Sequence, residues 1–190
     1  AVFIPNVGDV QVYHKRKLVP GAEKMPFPNI LDPLAKLIVD LGGISGSLGS
    51  ENSINSFIVD SIILSPLICY ESVYGEVKLG VTNLLAIITN DGWWKNTAGY
   101  KQHLQYARLR AIEQRKSIIR SANTGISAVI NARGEIVKKS KWDEATCLVS
   151  TVELNNITTY YSQFGDYIGR LSMFVSSMLL IMVFVNQRLK

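Results

Sequence analysis

The sequence predicts an α/β fold with a mixed β-sheet, followed by an apolar helix near its end. The α/β fold is predicted because short apolar runs, which are typical of strands, recur between turn residues, and one long amphipathic helix lies between two of these runs. The final helix is predicted because residues 171–185 contain no charged side chain. The chain has 190 residues, 47% hydrophobic and 18% charged, so it has enough apolar residues to form a core.

The predicted strands are short apolar runs that end at turn residues. They cover residues 10–13, 57–59, 62–64, 67–70, 84–89, 117–122 and 147–154, with a hairpin that joins 126–130 to 135–138. The clearest helix is predicted over residues 100–115, because its apolar side chains share one face: Leu104, Ala107, Ala111 and Ile112. Another helix is predicted over residues 30–41, with Asn29 as its N-cap and Gly42 at its end.

The charge pattern argues against nucleic acid as a partner. The net charge is +5, but the basic residues are scattered, and neither a zinc-ligand spacing nor a recognition-helix pattern is present. The mild basic excess by itself suits an anionic membrane surface about as well as nucleic acid. The two cysteines, Cys69 and Cys147, are too far apart in sequence to indicate a disulfide framework, and Cys147 is expected to fill the core from its predicted strand.

The apolar run at 171–185 is either a membrane span or a buried core helix. Its roughly 15 residues are fewer than the roughly 20 that a span needs, but residues 167–169 extend it and Arg170 is able to snorkel. Both of its faces are apolar, which favours the membrane span. The basic residues Arg188 and Lys190 favour a cytoplasmic end, with the rest of the chain on the other side of the membrane.

Cys69 is the candidate nucleophile. It stands where a predicted buried strand gives way to a turn, a place where a side chain projects and backbone N–H groups face a developing oxyanion. A thiol needs a base or a cation to become a good nucleophile, and Lys15 and Glu23 are candidate partners in loop-like segments. A lone cysteine at a strand end is otherwise a structural residue.

Several motifs in order resemble those of the apolipoprotein N-acyltransferases, a nitrilase-type family. The resemblance covers roughly residues 10–136, and the sequence of motifs is more specific than any single one. The matching segments are Tyr13-His14-Lys15-Arg16-Lys17 through Glu23 to Phe27, Ile68-Cys69-Tyr70-Glu71, Thr89-Asn90-Asp91-Gly92-Trp93-Trp94, Gln102-His103-Leu104-Gln105 with Arg108-Leu109-Arg110-Ala111, and Arg120-Ser121-Ala122-Asn123-Thr124-Gly125-Ile126-Ser127.

The resemblance implies a role for each site residue. Cys69 would attack the acyl ester of a phospholipid and form a thioester, while Lys15 would stabilise the oxyanion and Glu23 would orient Lys15 or assist proton transfer. Tyr70 and Glu71 would shape the pocket beside the nucleophile. The acyl group would then pass to the amino group of a diacylglyceryl cysteine at a lipoprotein N-terminus, without a metal or organic cofactor.

Other residues of these motifs have simpler alternatives. Trp93 and Trp94 are pocket candidates, but they also suit the core or a membrane interface. Lys15 also suits a solvated loop, and Glu23 a surface carboxylate. His103 is expected to be a structural helix residue without a catalytic role.

The implied fold is a partial nitrilase-type α-β-β-α sandwich over residues 1–165, with a membrane-spanning helix and basic tail over 166–190. The implied location is the bacterial inner membrane, with the catalytic part in the periplasm and the C-terminus in the cytoplasm. The family's general base is a glutamate on a strand before the lysine loop, whereas residues 1–14 contain only Asp9 as a carboxylate. We therefore expect the chain to need the N-terminal remainder of the enzyme, and to have little transferase activity alone.

Two other functions stay open at this point. A soluble nitrilase-type hydrolase of a small amide would use the same nucleophile with water as the acceptor, and it would not depend on detergent. A membrane-anchored remnant with an inactive site would show no thiol reactivity at Cys69.

Overall fold

Eight strands and three α-helices make up the part of the chain that the computed structural model describes, which is residues 1–20, 22–24, 49–51, 55–75 and 79–188. The predicted helix at 30–41 lies outside these residues. The strands are β1 (Val2–Phe3), β2 (Gln11–Val12), β3 (Phe57–Val59), β4 (Ile62–Ile68), β5 (Leu84–Asn90), β6 (Ser117–Asn123), β7 (Ala128–Ile130) and β8 (Ile136–Lys139). The helices are α1 (Ala98–Gln114), α2 (Tyr160–Phe164) and α3 (Tyr167–Arg188), and 3-10 turns cover Cys69–Val73 and Asp91–Trp94.

Strands β3 to β8 form one six-stranded mixed sheet in chain order. The central strands β4, β5 and β6 run parallel, and the outer pairs are antiparallel. Parallel neighbours need a crossover, and α1 supplies it between β5 and β6. The predicted α/β class with a mixed sheet is therefore confirmed, as is the hairpin of β7 and β8.

Helix α1 packs its apolar face on the sheet and forms the core with it. Leu104, Ala107 and Ala111 are buried as predicted, together with the sheet residues Leu67, Leu85, Ile87, Ile118 and Ile130. The prediction for Ile112 was wrong, because this side chain is 41% exposed. It lies beside the hairpin instead, where a Cβ added to Gly134 would meet Ile112 Cδ1 at 2.7 Å.

The predicted strand at 147–154 was wrong, since this segment has no regular secondary structure. Side chains, not a neighbouring strand, hold its carbonyl groups: Ser117 Oγ donates to Glu153 O at 2.8 Å, and Lys138 Nζ donates to Val149 O at 2.5 Å. Its alternating pattern therefore has no ladder partner. Cys147 is exposed and free, so it does not fill the core as expected.

The β1–β2 ladder is attached to the edge of the sheet at β3. The Gln11 side-chain amide accepts from Ile58 N at 2.8 Å and donates to Ile58 O at 2.9 Å. It therefore satisfies the backbone N–H and C=O of Ile58 in the edge strand β3. The rings of Phe3 and Phe57 stack with centroids 5.7 Å apart. This attachment fixes the start of the loop that carries Lys15.

Helix α3 has 22 residues, and none of them is buried. Within the described part of the chain it is the one helix long and apolar enough to cross a membrane. Because its surface is exposed all round, it does not fill the core formed by the described residues, and its membrane span stays a prediction.

Candidate active site

The carboxyl ends of β4 and β5 meet at one edge of the sheet and carry the site. The two strands are parallel and pair Ile68 with Ile88, so each turn that follows lies beside the other. Cys69 begins the first 3-10 turn and Asp91 begins the second. This is the edge at which open α/β sheets bind their ligands, and the sequence prediction placed the nucleophile here.

Cys69 has a backbone conformation that its residue type rarely adopts. Its φ is +54°, in the left-handed region. For a residue with a Cβ this region costs about 1–2 kcal/mol, so the surrounding structure has to hold it. Ser72 Oγ donates to the carbonyl of Cys69 at 2.9 Å, and the Cys69 residue remains partly accessible.

Lys15 and Glu23 are in direct contact, while the roles that the resemblance implies for them stay predictions. Lys15 Nζ lies 2.7 and 2.6 Å from the two carboxylate oxygens of Glu23, and Val19 N also donates to Glu23 Oε2 at 2.9 Å. The Lys15 side chain is only 10% exposed. The structure thus places an ammonium group with a single orientation, fixed by a carboxylate that is itself held by the backbone.

Glu71 is fully buried and connects the lysine loop to the nucleophile strand. Its Oε1 accepts from Arg16 N at 2.5 Å and Lys17 N at 3.3 Å. Its Oε2 accepts from Ile68 N at 2.7 Å and from the Tyr13 hydroxyl at 2.9 Å. The two residues that follow Lys15 and the residue before Cys69 are therefore bound to one carboxylate, which holds the two chain segments together.

The Tyr13 hydroxyl is kept as a donor by its surroundings. Burial, and then the charge of Glu71, raise the pKa of Tyr13 well above its ordinary value. A tyrosine that stays neutral keeps its O–H for the Glu71 carboxylate. The sequence did not reveal this pair, because Tyr13 was the end of a predicted strand and Glu71 a predicted pocket residue.

A second buried network lies behind the nucleophile turn. Asp91 and Arg120 are both fully buried, and Arg120 Nη2 donates to Asp91 Oδ2 at 2.6 Å. Asp91 Oδ1 lies 2.9 Å from His103 Nδ1 and accepts from Thr89 Oγ1 at 3.1 Å. Burial pushes the pKa of Asp91 upward, but the hydrogen bond with His103 and the charge of Arg120 outweigh it, so the pKa is lowered. Asp91 is therefore an ionised acceptor.

The sequence did not single out this network. Asp91 and Arg120 stood in the quoted motifs without a role, and His103 was expected to be structural. Arg120 follows the apolar residues Ile118 and Ile119 in the predicted strand, and a charged residue at such a position was the signal that a buried partner existed.

The other predicted pocket residues lie around the two turns. The Tyr70 ring meets the Tyr74 ring edge to face, with centroids 5.3 Å apart. Trp93 is 71% exposed, while Trp94 lies against Gly99, where an added Cβ would meet its ring at 2.6 Å. Neither tryptophan is in the core, and their part in a pocket stays a prediction.

The described residues contain no group of three or more His, Cys, Asp or Glu side chains arranged to hold a metal ion. The turns at this edge carry the Cys69 thiol and buried carboxylates, and the Lys15 ammonium group lies on the loop that Glu71 binds to β4. This set suits nucleophilic attack on a carbonyl carbon.

The family model described as carbon-nitrogen hydrolase matches residues 1–161. This chain belongs to the carbon-nitrogen hydrolase family. The nitrilase-type fold expected from the motifs is therefore confirmed for this chain.

Curated relatives of the carbon-nitrogen hydrolase chain include apolipoprotein N-acyltransferases. The one from Chlorobaculum tepidum is 30% identical over 97% of this chain and 36% of its own length. The one from Rickettsia prowazekii is 36% identical over 84% of this chain and 32% of its own length. The chain thus spans about a third of the length of these relatives. A solved carbon-nitrogen hydrolase from Helicobacter pylori G27 aligns at 16% identity and a TM-score of 0.47, over 53% of this chain and 44% of that chain.

Replacement of Glu71 by glutamine should destabilise the domain strongly. Whichever oxygen becomes the amide nitrogen, at least one backbone N–H then faces another donor, which costs about 2–3 kcal/mol. Thermal unfolding of the full-length protein in detergent measures the loss. The matched control is Glu135→Gln, an exposed carboxylate that also accepts several hydrogen bonds and whose loss should change little. Equal stability of Glu71→Gln and the wild type would show that the hydrogen bonds of Glu71 do not hold the lysine loop to the end of β4.

Replacement of Cys69 should reverse the usual preference for alanine over glycine. Glycine adopts a φ of +54° without strain. The free energy of unfolding of Cys69→Gly should therefore exceed that of Cys69→Ala by about 0.5–1 kcal/mol. At the exposed helix position Gln102 the order should be the ordinary one, with alanine more stable by about 1 kcal/mol. Chemical denaturation of the four variants checks both orders, and a more stable Cys69→Ala would argue against the left-handed conformation.

Proposed function

We propose that this chain is part of an N-acyltransferase that uses Cys69 as its nucleophile. The acyl donor is a phospholipid, and the acceptor is the α-amino group of the N-terminal diacylglyceryl cysteine of an apolipoprotein. The observation that carries the proposal is the position of Cys69 at the first turn after β4, beside a lysine loop bound to the same strand through Glu71. The names of the relatives supply the acyl transfer to an apolipoprotein, and the resemblance of the motifs supplies the phospholipid donor and the diacylglyceryl cysteine.

The proposed reaction has two steps that share one thioester. The Cys69 sulfur attacks the ester carbonyl carbon of the phospholipid, the C–S bond forms, and the C–O bond to glycerol breaks. The thiol proton ends on the glycerol oxygen, which leaves as a lysophospholipid alcohol. The acceptor amine then attacks the thioester carbonyl, so that the C–N bond forms, the C–S bond breaks, and the amine proton returns to the thiolate.

Lys15 is the proposed oxyanion-stabilising residue of both steps. Each tetrahedral intermediate carries an oxyanion, and a fixed ammonium group stabilises it without reorganisation. Glu23 supports this role because both of its oxygens contact Lys15 Nζ, and Val19 N restrains the carboxylate in turn. The pocket role of Tyr70, Trp93 and Trp94 belongs to the same proposal, and the exposure of Trp93 suits contact with acyl chains or with the membrane surface.

The proposed domain division is a catalytic part over residues 1–165 and a membrane segment over 166–190. Three aromatic rings cluster at the junction: Tyr160 lies 4.3 Å from Phe164 and 4.9 Å from Tyr167, measured between ring centroids. Their side chains are largely exposed, as expected for a belt at the membrane–water interface. A catalytic part held at this interface is within reach of phospholipid esters.

The proposed orientation places the catalytic part in the periplasm and the end of α3 in the cytoplasm of the bacterial inner membrane. Arg188 in the last turn of α3 and Lys190 beyond it support this, since basic residues are retained on the cytoplasmic side. Arg170 is the basic residue at the other end of α3, and its guanidinium donates to the carbonyl of Phe164.

A labelled phospholipid should leave an acyl adduct on Cys69. Membranes with the full-length protein are incubated with a phospholipid that carries a labelled acyl chain, and mass spectrometry locates a hydroxylamine-labile adduct. Cys69→Ala should abolish it, and Lys15→Ala should slow its formation by about 10²–10³-fold, the loss of one oxyanion-stabilising group. Cys147→Ala, which removes the exposed thiol, should leave it unchanged.

Two results of that experiment would count against the transferase. An unmodified Cys69 in protein that is confirmed to be present would remove the acyl-enzyme. An adduct that releases fatty acid to water, and never to a diacylglyceryl peptide, would favour a nitrilase-type hydrolase instead.

The exposed thiol of Cys147 should report which side of the membrane holds the catalytic part. In a Cys69→Ala background, a membrane-impermeant maleimide should label Cys147 in intact spheroplasts. A cysteine introduced in place of Arg188 should be labelled only after lysis, which makes it the matched control for the opposite side. Labelling of Cys147 only after lysis would reverse the proposed orientation.

A further inference from the structure

A continuous chain of buried polar groups runs from β6 to the backbone of the candidate nucleophile. Arg120 contacts Asp91, Asp91 contacts His103 Nδ1, and His103 Nε2 lies 3.3 Å from the carbonyl oxygen of Cys69. His103 is only 4% exposed. Arg120 is anchored in turn by the carbonyl of Ile126, to which its Nη1 donates. The imidazole is thus fixed at one end and faces the nucleophile's own backbone at the other.

Any effect of these buried polar groups on the reactivity of the Cys69 thiol passes through the carbonyl of the same residue. Its residue has a φ of +54°, and the direction of the carbonyl and of the side chain are tied to that angle. A relaxed backbone would turn the thiol away from its present position. Ser72 Oγ donates to this carbonyl, and Ser72 Oγ also lies 3.0 Å from His103 Nε2, so serine and imidazole form one group around it.

The two ring nitrogens of His103 have different partners and therefore different tasks. Asp91 is an ionised acceptor, so Nδ1 carries a proton and its bond fixes the ring plane. The carbonyl of Cys69 only accepts, so the proposed contact also requires a proton on Nε2, with the ring paired to the Asp91 carboxylate. Nε2 faces only Ser72 Oγ and Cys69 O among the hydrogen bonds of the described residues. Any contribution to the Cys69 backbone must therefore pass through Nε2.

We propose that His103 is a positioning residue that holds Cys69 in its left-handed conformation through Nε2, with Asp91 and Arg120 fixing the ring. The proposal rests on Cys69 being the nucleophile of the proposed function. His103 does not touch the substrate. It acts through Cys69 O and Ser72, so its loss should lower the reactivity of the Cys69 thiol without removing the thiol itself.

Two amide substitutions separate this role from a purely structural one. An asparagine at position 103 reaches the place of Nδ1, so it keeps the contact with Asp91 and loses the contact with Cys69. A glutamine reaches the place of Nε2, so it keeps a donor for the Cys69 carbonyl. If His103 served only to satisfy Asp91, asparagine would be the better replacement.

The experiment compares the alkylation rates of the two native thiols in the full-length protein in detergent. Iodoacetamide is the probe, and mass spectrometry gives the rate at Cys69 relative to the exposed Cys147, which serves as the internal reference. His103→Asn should lower this ratio by about tenfold, the effect of one lost hydrogen bond to a strained group, and His103→Gln should stay within about threefold of the wild type. Should His103→Asn fail to fold, His103→Met has a similar length to glutamine without its polar groups and should show the same tenfold loss.

The remaining outcomes overturn the proposal. An unchanged ratio in His103→Asn, or an equal loss in His103→Asn and His103→Gln, would show that the Nε2 contact does not govern reactivity. A wild-type Cys69 that reacts no faster than Cys147 would remove the activated nucleophile, and the proposed function would fall with it. If Cys69 of the wild type reacts faster than Cys147 and the His103 variants do not change this ratio, only the role of His103 is overturned.

Discussion

The buried carboxylate of Glu71 is the interaction on which the arrangement of the site depends. A charge without access to water is stable only when donors surround it, and Glu71 has four, from Tyr13, Arg16, Lys17 and Ile68. Three of these donors are backbone N–H groups. The lysine loop has little regular structure of its own, so this carboxylate replaces the sheet ladder that would otherwise fix it. The position of Lys15 relative to the nucleophile strand thus follows from one side chain two residues after Cys69.

The second constraint is the strain at Cys69 itself. A left-handed residue with a Cβ tends to relax unless its carbonyl and neighbours are held. Ser72 holds the carbonyl from within the turn, and the His103 ring faces it from helix α1. Because α1 is packed on the sheet through Leu104 and Ala107, the conformation of the candidate nucleophile is linked to the core.

Much of the fold could be predicted from local pattern, whereas the networks of the site could not. The helix at α1, the hairpin of β7 and β8 and the apolar helix α3 each have a period or a turn signal within a short stretch of sequence. The segment 147–154 has a strand-like alternation, but a strand also needs a partner edge, which a local pattern does not reveal. The role of Glu71 was missed because its partners are mostly backbone N–H groups, and these have no sequence signature. The link from Asp91 to His103 and Cys69 depends on β4 and β5 being parallel neighbours, which only the sheet order decides.

The two buried networks hold different parts of the site, and their separation has a physical consequence. Glu71 fixes the lysine loop and the end of β4, while Asp91 and Arg120 fix the ring that faces the Cys69 carbonyl. None of the hydrogen bonds described here joins Glu71 to Asp91, and the two networks meet only in the backbone of the turn Cys69–Val73. Each network buries its own charge with its own donors, so neither needs the other to satisfy its hydrogen bonds. Glu71 thus ties the lysine loop to the end of β4, while His103 faces the Cys69 carbonyl from the other network. Both sets of groups are buried behind the site, which leaves the side of the turn that Cys69 presents to solvent free for a substrate.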